Sequence, residues 1–273
     1  LKRVYDNLQS KELFVMAYAK LYANKGALTP GTNPNDTVDG MSLEKIDSII
    51  EKLKKRSYAW TPVRRTYIEK RNSTKKRPLG IPGWSDKLLQ EVMKMILEAY
   101  YEPQFRKSSH GFRPKRGCHT TLEQIIAIGT GTRWFIEGDI KGCFDNISHD
   151  VLIRILRRNI KDKELLSLIR DMLEAGYMED WKYYGTYSGT PQGGIISPLL
   201  ANIVLNEMDV FIEDELIPKY SRGKGRIRNP EYKRMANTAQ KERKKGNIKR
   251  ANELRRKYTK LSSVVPDDPN YRR

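Results

Sequence analysis

Apolar residues recur at helical spacing along most of the chain, and strand-like stretches are confined to a few short segments. Residues 4 to 24 carry Leu8, Phe14, Val15, Tyr18 and Tyr22 at that spacing and predict a helix, whereas Thr29 to Asp39 is a Pro, Asn and Asp loop. Ser42 reads as an N-cap, and Leu43, Ile46, Ile49, Ile50 and Leu53 give the next helix an apolar face that ends at Ser57 to Thr61. Residues 66 to 70 and 77 to 82 flank the polar loop 71 to 76. This predicts a very basic β-hairpin with Pro78 on an edge strand, because proline cannot donate to a central ladder. Leu88, Leu89, Val92, Met93, Ile96, Leu97 and Tyr100 mark residues 85 to 101 as a strongly amphipathic core helix. Ser148 caps a further helix, with Asp150 in the first turn to suit its dipole and Val151, Leu152, Ile155 and Leu156 facing inward. Ser197-Pro198 opens another that buries Leu200, Ile203, Val204 and Met208. Beyond Pro218 the composition shifts to a loop-like RGKGRIRNP. Residues 231 to 260 then read as two helices broken at Gly246, with Ile248, Ala251, Leu254 and Tyr258 on one side.

Of the 273 residues 38% are hydrophobic, enough for a real core in one large domain or two interleaved subdomains. The formal charge is +19, and residues 218 to 273, with 19 Lys and Arg against 5 Asp and Glu, supply +14 of it. A basic field concentrated at one end implies a polyanionic partner. RNA or DNA fits better than a membrane, because no run of ~18 apolar residues occurs. Cys118 and Cys143 are the only cysteines, without a CxxC pair or histidines at zinc-ligand spacing, so neither a disulfide framework nor a structural zinc is indicated and a reducing compartment is expected. Cys118 beside His119 reads as packing or a surface turn. The chain starts at Leu1 with neither a secretory nor a transit pattern, and both ends read as cut ends.

The candidate chemistry is concentrated in two stretches. In FIEGDIKGCFDNISHD, residues 135 to 150, Phe135 and Ile136 lead an apolar strand that ends at Asp139, and Lys141, Gly142 and Cys143 turn the chain. An acid at a strand end is exposed and can hold a metal, although on its own such an Asp is commonly a turn or N-cap residue. Phe144 follows five positions behind the acid, and spacing alone reads it equally well as core. Asp145 and Asn146 read as fixing the turn. GTPQGGIISPLLANIVLNEMD, residues 189 to 209, begins with a turn tight enough for its backbone to approach a substrate, ahead of a capped helix. Taken by itself that is merely a turn.

Together these stretches resemble the third and fourth conserved blocks of reverse transcriptases, above all those of group II intron-encoded reverse transcriptase/maturases, and the resemblance spans nearly all of residues 1 to 217. It implies the fingers and an incomplete palm of a right-hand polymerase: α+β, helix-rich, with a basic β-hairpin and a small antiparallel palm sheet. In those terms residues 1–60 are an N-terminal extension of the fingers, 61–112 the fingers with the hairpin, and 113–146 the palm segment with Asp139. Residues 147–192 are fingers and palm helices, 193–217 a palm helix, and 218–273 a basic insertion. The family's next strand, carrying Tyr-Ala-Asp-Asp, is absent up to Arg273, so the chain reads as cut inside its catalytic domain.

Nucleotidyl transfer uses two Mg²⁺ ions ~4 Å apart, held by a few carboxylates, substrate phosphate and water. The resemblance assigns Asp139 to that job, with the Ile140 carbonyl as a further ligand, and leaves the site incomplete without the acids of the missing strand. Phe144 is implied to lie under the incoming sugar, where a ring leaves no room for a 2′-hydroxyl and so favours deoxynucleotides. Gln192 is implied to lie against the templating or incoming nucleotide. Lys70 and Arg77 bracket the hairpin as do two basic residues that clamp the triphosphate in the family, Arg forking onto phosphate oxygens and Lys acting as a point charge. Lys75 and Lys76 leave that register open and extend the basic surface toward RNA; a solvated basic turn is the plainer alternative. Arg113, in HGFRPKRGCH, matches the second block and is implied to line the template or nucleotide path. In the basic insertion Arg222, Lys224, Arg226, Arg228, Lys244 and Lys245 are candidates for RNA phosphates, against the reading of a soluble, partly disordered excursion.

The expected function is that of a group II intron maturase with RNA-directed DNA polymerase activity, which binds intron RNA, assists splicing and copies the intron into DNA. Its partners would be that RNA, an RNA template with a DNA primer, and dNTPs. The chain alone is expected to bind RNA without polymerising, in a bacterial-type cytoplasm or an organelle after processing, and a homodimer stays open. A non-enzymatic RNA-binding splicing scaffold with a vestigial site is the alternative, against which intact Asp139, Phe144 and Gln192 argue. An RNA-dependent RNA polymerase is disfavoured by Phe144, and a retron or diversity-generating reverse transcriptase is a closer rival.

Overall fold

The computed structural model describes residues 1–24, 26–69, 76–129, 132, 135–190, 193–223 and 225–271. The chain divides into two compact units, Leu1–Asp209 and Val210–Arg273. The first begins with α1 (Val4–Asn7) and α2 (Lys11–Tyr22). The single helix expected over residues 4 to 24 is split because Ser10 is extended and its side chain takes the Leu13 N–H at 3.4 Å, which restarts the helix. α2 turns Phe14, Ala17 and Leu21 inward and leaves Val15 and Tyr22 exposed, so its buried stripe is rotated from the one the spacing predicts. α3 (Leu43–Lys54) starts at the Ser42 cap and buries Ile46, Ile49, Ile50 and Leu53 as expected.

α4 (Trp84–Tyr101) is the centre of this unit, with Trp84, Leu88, Leu89, Val92, Met93 and Leu97 at most 1% exposed. Its N-terminus is pinned by the loop before α3. Asp36 accepts from the Ser85 N–H (3.0 Å) and hydroxyl (2.9 Å) and pairs with Lys45 at 2.6 Å. Its next two residues are buried polar groups with partners. Asp86 accepts from the Tyr58 hydroxyl (2.7 Å) and from the N–H and hydroxyl of Thr61, yet burial still pushes its carboxyl above the ordinary range. Lys87 donates to the Thr29 carbonyl (3.0 Å), and burial lowers the pKa of its ammonium. After α4 come α5 (Cys118–Ile128), α6 (Cys143–Asn146), α7 (His149–Asn159), α8 (Lys163–Glu174) and α9 (Ser197–Phe211). α7, α8 and α9 add Leu152, Leu156, Ile169, Leu173 and Leu200 to the core, all fully buried, whereas Val151 and Met208, expected inside, are 40% and 45% exposed.

The sheet of this unit holds β1 (Val63–Glu69), β2 (Lys76–Ile81), β3 (Tyr177–Glu179) and β4 (Lys182–Tyr184) in the order β2-β1-β3-β4. β1 and β2 form the expected antiparallel hairpin, with Tyr67 opposite Pro78 on the edge strand, but β1 and β3 run parallel, so the sheet is mixed. The pleat puts Arg65, Tyr67, Pro78, Gly80, Tyr177 and Tyr184 on one face, and Arg77, Leu79 and Ile81 on the other. The helix-rich α+β class is as expected; the antiparallel palm sheet is not formed among the described residues. Phe135 and Ile136, 74% and 93% exposed, lie in irregular chain rather than in a strand leading to Asp139. A strand needs a neighbour for its ladder hydrogen bonds, and no described segment pairs with this one.

The second unit is a helical hairpin. After α10 (Ile217–Tyr220), α11 (Pro230–Lys244) and α12 (Ile248–Tyr258) are joined at Gly246, whose φ of +84° lets the chain leave α11. Ala239, Ala251 and Leu254 are buried, and Tyr232 meets Tyr258 edge-on at 5.0 Å; Ile248 is half exposed instead of joining them. The base is tied by Val265 N–H to Ile227 O (2.8 Å) and by buried Asp268, which accepts from the Ile227 N–H (2.7 Å) and the Asn270 N–H (2.9 Å). No helix of the described residues is long and apolar enough to cross a membrane.

Candidate functional site

Two turns remote in sequence are laced together by backbone hydrogen bonds. Gly189 N–H donates to Ile147 O (2.7 Å), Thr190 N–H to Phe144 O (2.8 Å), and the Ser188 hydroxyl to Asp145 O (3.2 Å). Buried His149 adds a 2.7 Å hydrogen bond from Nε2 to the Gly189 carbonyl, donating in the Nε2–H tautomer. Gly189 has φ +90°, and a Cβ there would lie 2.8 Å from the Asp145 carbonyl oxygen, so the lacing requires glycine. On the other side of the turn Ile195 N–H donates to Gln90 Oε1 on α4 (2.8 Å). Gly193, at φ +110°, comes so close to β2 that a Cβ would collide with the Gly80 carbonyl oxygen. The second motif is thus held between α4, the hairpin and the first motif.

Asp139 is exposed in the irregular approach to this junction, and Ile140 beside it is 50% exposed. Gly142 turns the chain at φ +59°, and the Asn146 amide donates to the carbonyls of Lys141 (3.1 Å) and Gly142 (3.0 Å), the turn-fixing role read for it from the sequence. Among the described residues no three His, Cys, Asp or Glu gather as a metal site. Phe144 is half-buried and meets Phe112 edge-on, with ring centroids 6.1 Å apart. Lys76 and Arg77 are exposed on β2, opposite Glu69 and Ile68. Lys70, Lys75, Gln192 and Lys224 lie outside the described residues. In the second unit Arg222, Arg228, Lys244 and Lys245 are exposed, and Arg226 lies 5.7 Å from the Tyr271 ring centroid.

The sheet carries a cavity on each face. One, of about 230 Å³, is lined by Leu79, Ile81, Trp84, Lys87 and Gly193. The other, of about 340 Å³, is lined by Arg65, Gly80, Tyr177, Asp145, Gly189 and Thr190.

Residues 68–222 match the family model described as "Reverse transcriptase (RNA-dependent DNA polymerase)". The chain belongs to the reverse transcriptase family. It is 53% identical over 235 residues to the group II intron-encoded protein LtrA of Lactococcus lactis subsp. cremoris, a match that covers 86% of this chain and 39% of the relative. It is 49% identical over 209 residues to an uncharacterized 91 kDa protein in the cob intron of Schizosaccharomyces pombe, covering 77% of this chain and 26% of that one. The chain therefore spans about two fifths or less of the length of these relatives. A solved partial Cas6-RT-Cas1--Cas2 complex shares the fold, with a TM-score of 0.53 at 20% identity over 90% of this chain and 43% of the other.

Arg113 departs from the nucleotide contact that the resemblance to reverse transcriptases implied. It is 7% exposed, and all its N–H groups are directed at protein acceptors: the Glu102 carboxylate (2.8 Å at the shortest) and the carbonyls of Glu102, Arg106 and Ser109. A saturated, buried guanidinium organises the 102–113 loop and has no donor left for a ligand. Arg113→Met is expected to lower the stability of the chain by about 3 kcal/mol, because Glu102 and three carbonyls lose their partner. A urea titration measures this. An unchanged midpoint together with weakened nucleotide binding would restore the ligand role.

Proposed function

We propose that this chain is the fingers and part of the palm of an RNA-directed DNA polymerase carried by a group II intron, which binds the intron RNA, assists its splicing and copies it into DNA. The lacing of the Phe144–His149 segment to Ser188–Thr190 carries this reading, because it joins the two family motifs into one rigid junction. Asp139, an exposed hard-oxygen donor, fits one ligand position on Mg²⁺, with the Ile140 carbonyl as a second; carboxylates outside this chain would complete the set. When bound, the metal pair supplies charge stabilisation at the attacking and leaving oxygens. Phe144 would exclude a 2′-hydroxyl, Gln192 would contact the nucleotide, and Arg77 with Lys70 would clamp the triphosphate, flanked by Lys75 and Lys76. Arg222, Lys224, Arg226, Arg228, Lys244 and Lys245 would hold RNA phosphates, with affinity falling steeply as salt rises.

Primer extension on an RNA template by the chain continued through the remaining polymerase segments tests the proposal. DNA product from dNTPs and none from rNTPs is expected, and none of either from residues 1 to 273 alone. Tight, salt-sensitive intron RNA binding without any product would favour the scaffold reading, and extension by residues 1 to 273 would overturn the need for further acids.

A further inference from the structure

The larger cavity lies on the face of the sheet opposite Arg77, away from the side on which the triphosphate clamp is placed above. Its floor is built in a particular way. The Arg65 guanidinium lies 3.6 Å over the Tyr177 ring, and Tyr177 stacks in turn on Tyr184, with centroids 5.1 Å apart and planes 13° from parallel. The cross-strand partner of Arg65 is Gly80, which has no side chain, so space stays open beside the guanidinium on the β2 side. The wall is the turn at Gly189 and Thr190, held rigid by its backbone bonds to Phe144 and Ile147.

Among the described residues, three buried side-chain polar atoms lack a hydrogen-bond partner, and two of them, Arg65 Nε and Thr190 Oγ1, belong to residues that line this one cavity. Thr190 is 2% exposed. Buried polar atoms are nearly always satisfied, so a pair of orphans around one cavity points to something that enters and satisfies them. Its chemistry follows from the walls. A phosphate would need several converging donors, whereas here the one cation of the lining is already engaged with an aromatic ring. A flat heterocycle fits: lying edge-on to the guanidinium, it offers ring acceptors to one N–H and one hydroxyl and rests its face against Gly80 and Pro78. A base in a duplex has both faces stacked and its pairing edge used, so only an unpaired base is free to enter the cavity.

We propose that this cavity takes a single unstacked nucleobase, presented by a single-stranded stretch of RNA crossing the sheet behind the polymerase face. The pocket is a second nucleic-acid site, and its existence does not depend on the chain being catalytically competent.

The test titrates the full 273-residue chain with free guanosine, adenosine, cytidine and uridine, read by saturation-transfer NMR. Inorganic phosphate, a short single-stranded RNA and the same RNA as a blunt duplex serve as competitors. At least one nucleoside is expected to receive saturation on its base protons and to be displaced by the single strand but not by phosphate or duplex. Thr190→Val and Arg65→Gln are each expected to weaken it about 5- to 10-fold, the scale of one lost buried hydrogen bond. Thr66→Val, on the other face of the same strand, leaves it unchanged. Thr190→Val conserves shape, so it keeps the test decisive if Arg65→Gln unfolds. Absent saturation transfer, displacement by phosphate, equal displacement by duplex, or full binding in Thr190→Val would each overturn the proposal. No arm uses primer extension, so a failed polymerase reading and a failed pocket give different results.

Discussion

Asp139→Ala, in the chain continued through the remaining polymerase segments, is expected to reduce RNA-templated dNTP incorporation by about a thousandfold or more while intron RNA still binds. The expected size comes from the several kcal/mol that a positioned metal clamp contributes to a developing phosphoryl transition state; about 4 kcal/mol is roughly a thousandfold in rate. The side chain is exposed in irregular chain, so its removal disturbs no packing, and stability should change by no more than about 0.5 kcal/mol. The activity loss is then separable from unfolding. Asp139→Asn should fail as badly, because the amide keeps the shape but not the charge that binds a hard cation. Single-turnover incorporation and a thermal melt on the same preparations are the measurements. Incorporation within tenfold of wild type would remove Asp139 from the metal site.

Much of the first unit was legible because its helices obey a simple period. Ile46, Ile49, Ile50 and Leu53, or Leu88, Leu89, Val92 and Leu97, mark one face whatever surrounds them, and all are buried. The hairpin was legible because Pro78 excludes a central strand, and it lies on the edge. Signals that depend on a partner were not. Phe135 and Ile136 have strand character, yet no neighbour stands ready to pair with them. β3 and β4 escaped notice because their turn is Asp180-Trp181, both at positive φ, without the Asn-Gly or Asp-Gly signature that announces such hairpins. The motifs announced Asp139 and Phe144, but not His149, Gln90, Arg65 or Thr190. Those four matter through contacts that only the tertiary fold creates: a carbonyl capped, an N–H accepted, and two atoms left unpaired beside one cavity. Arg113 illustrates the converse, since a motif position that invites a ligand is occupied by Glu102 and backbone.

Gly189→Ala and Gly193→Ala are each expected to destabilise the chain by about 2–4 kcal/mol, the sum of a positive φ imposed on an L side chain and a clash with backbone that cannot swing away. At Gly189 a Cβ meets Asp145 Cα and the Phe144 carbonyl oxygen, both at 2.9 Å, so relief means drawing the second motif off the first. At Gly193 it meets the Gly80 carbonyl and Leu79, so relief means pushing β2 outward. Gly138→Ala is the internal control, because nothing lies within 4 Å of its Cβ and its φ is not positive; it should stay within about 0.5 kcal/mol of wild type. Urea titrations of the three variants decide the matter. If Gly189→Ala unfolds at the same midpoint as Gly138→Ala, the backbone lacing is not what holds the two motifs together, and the reading of the junction as a rigid half of a polymerase site loses its support. If only Gly189→Ala and Gly193→Ala fall, these two glycines are what hold the second motif against the first motif and against β2.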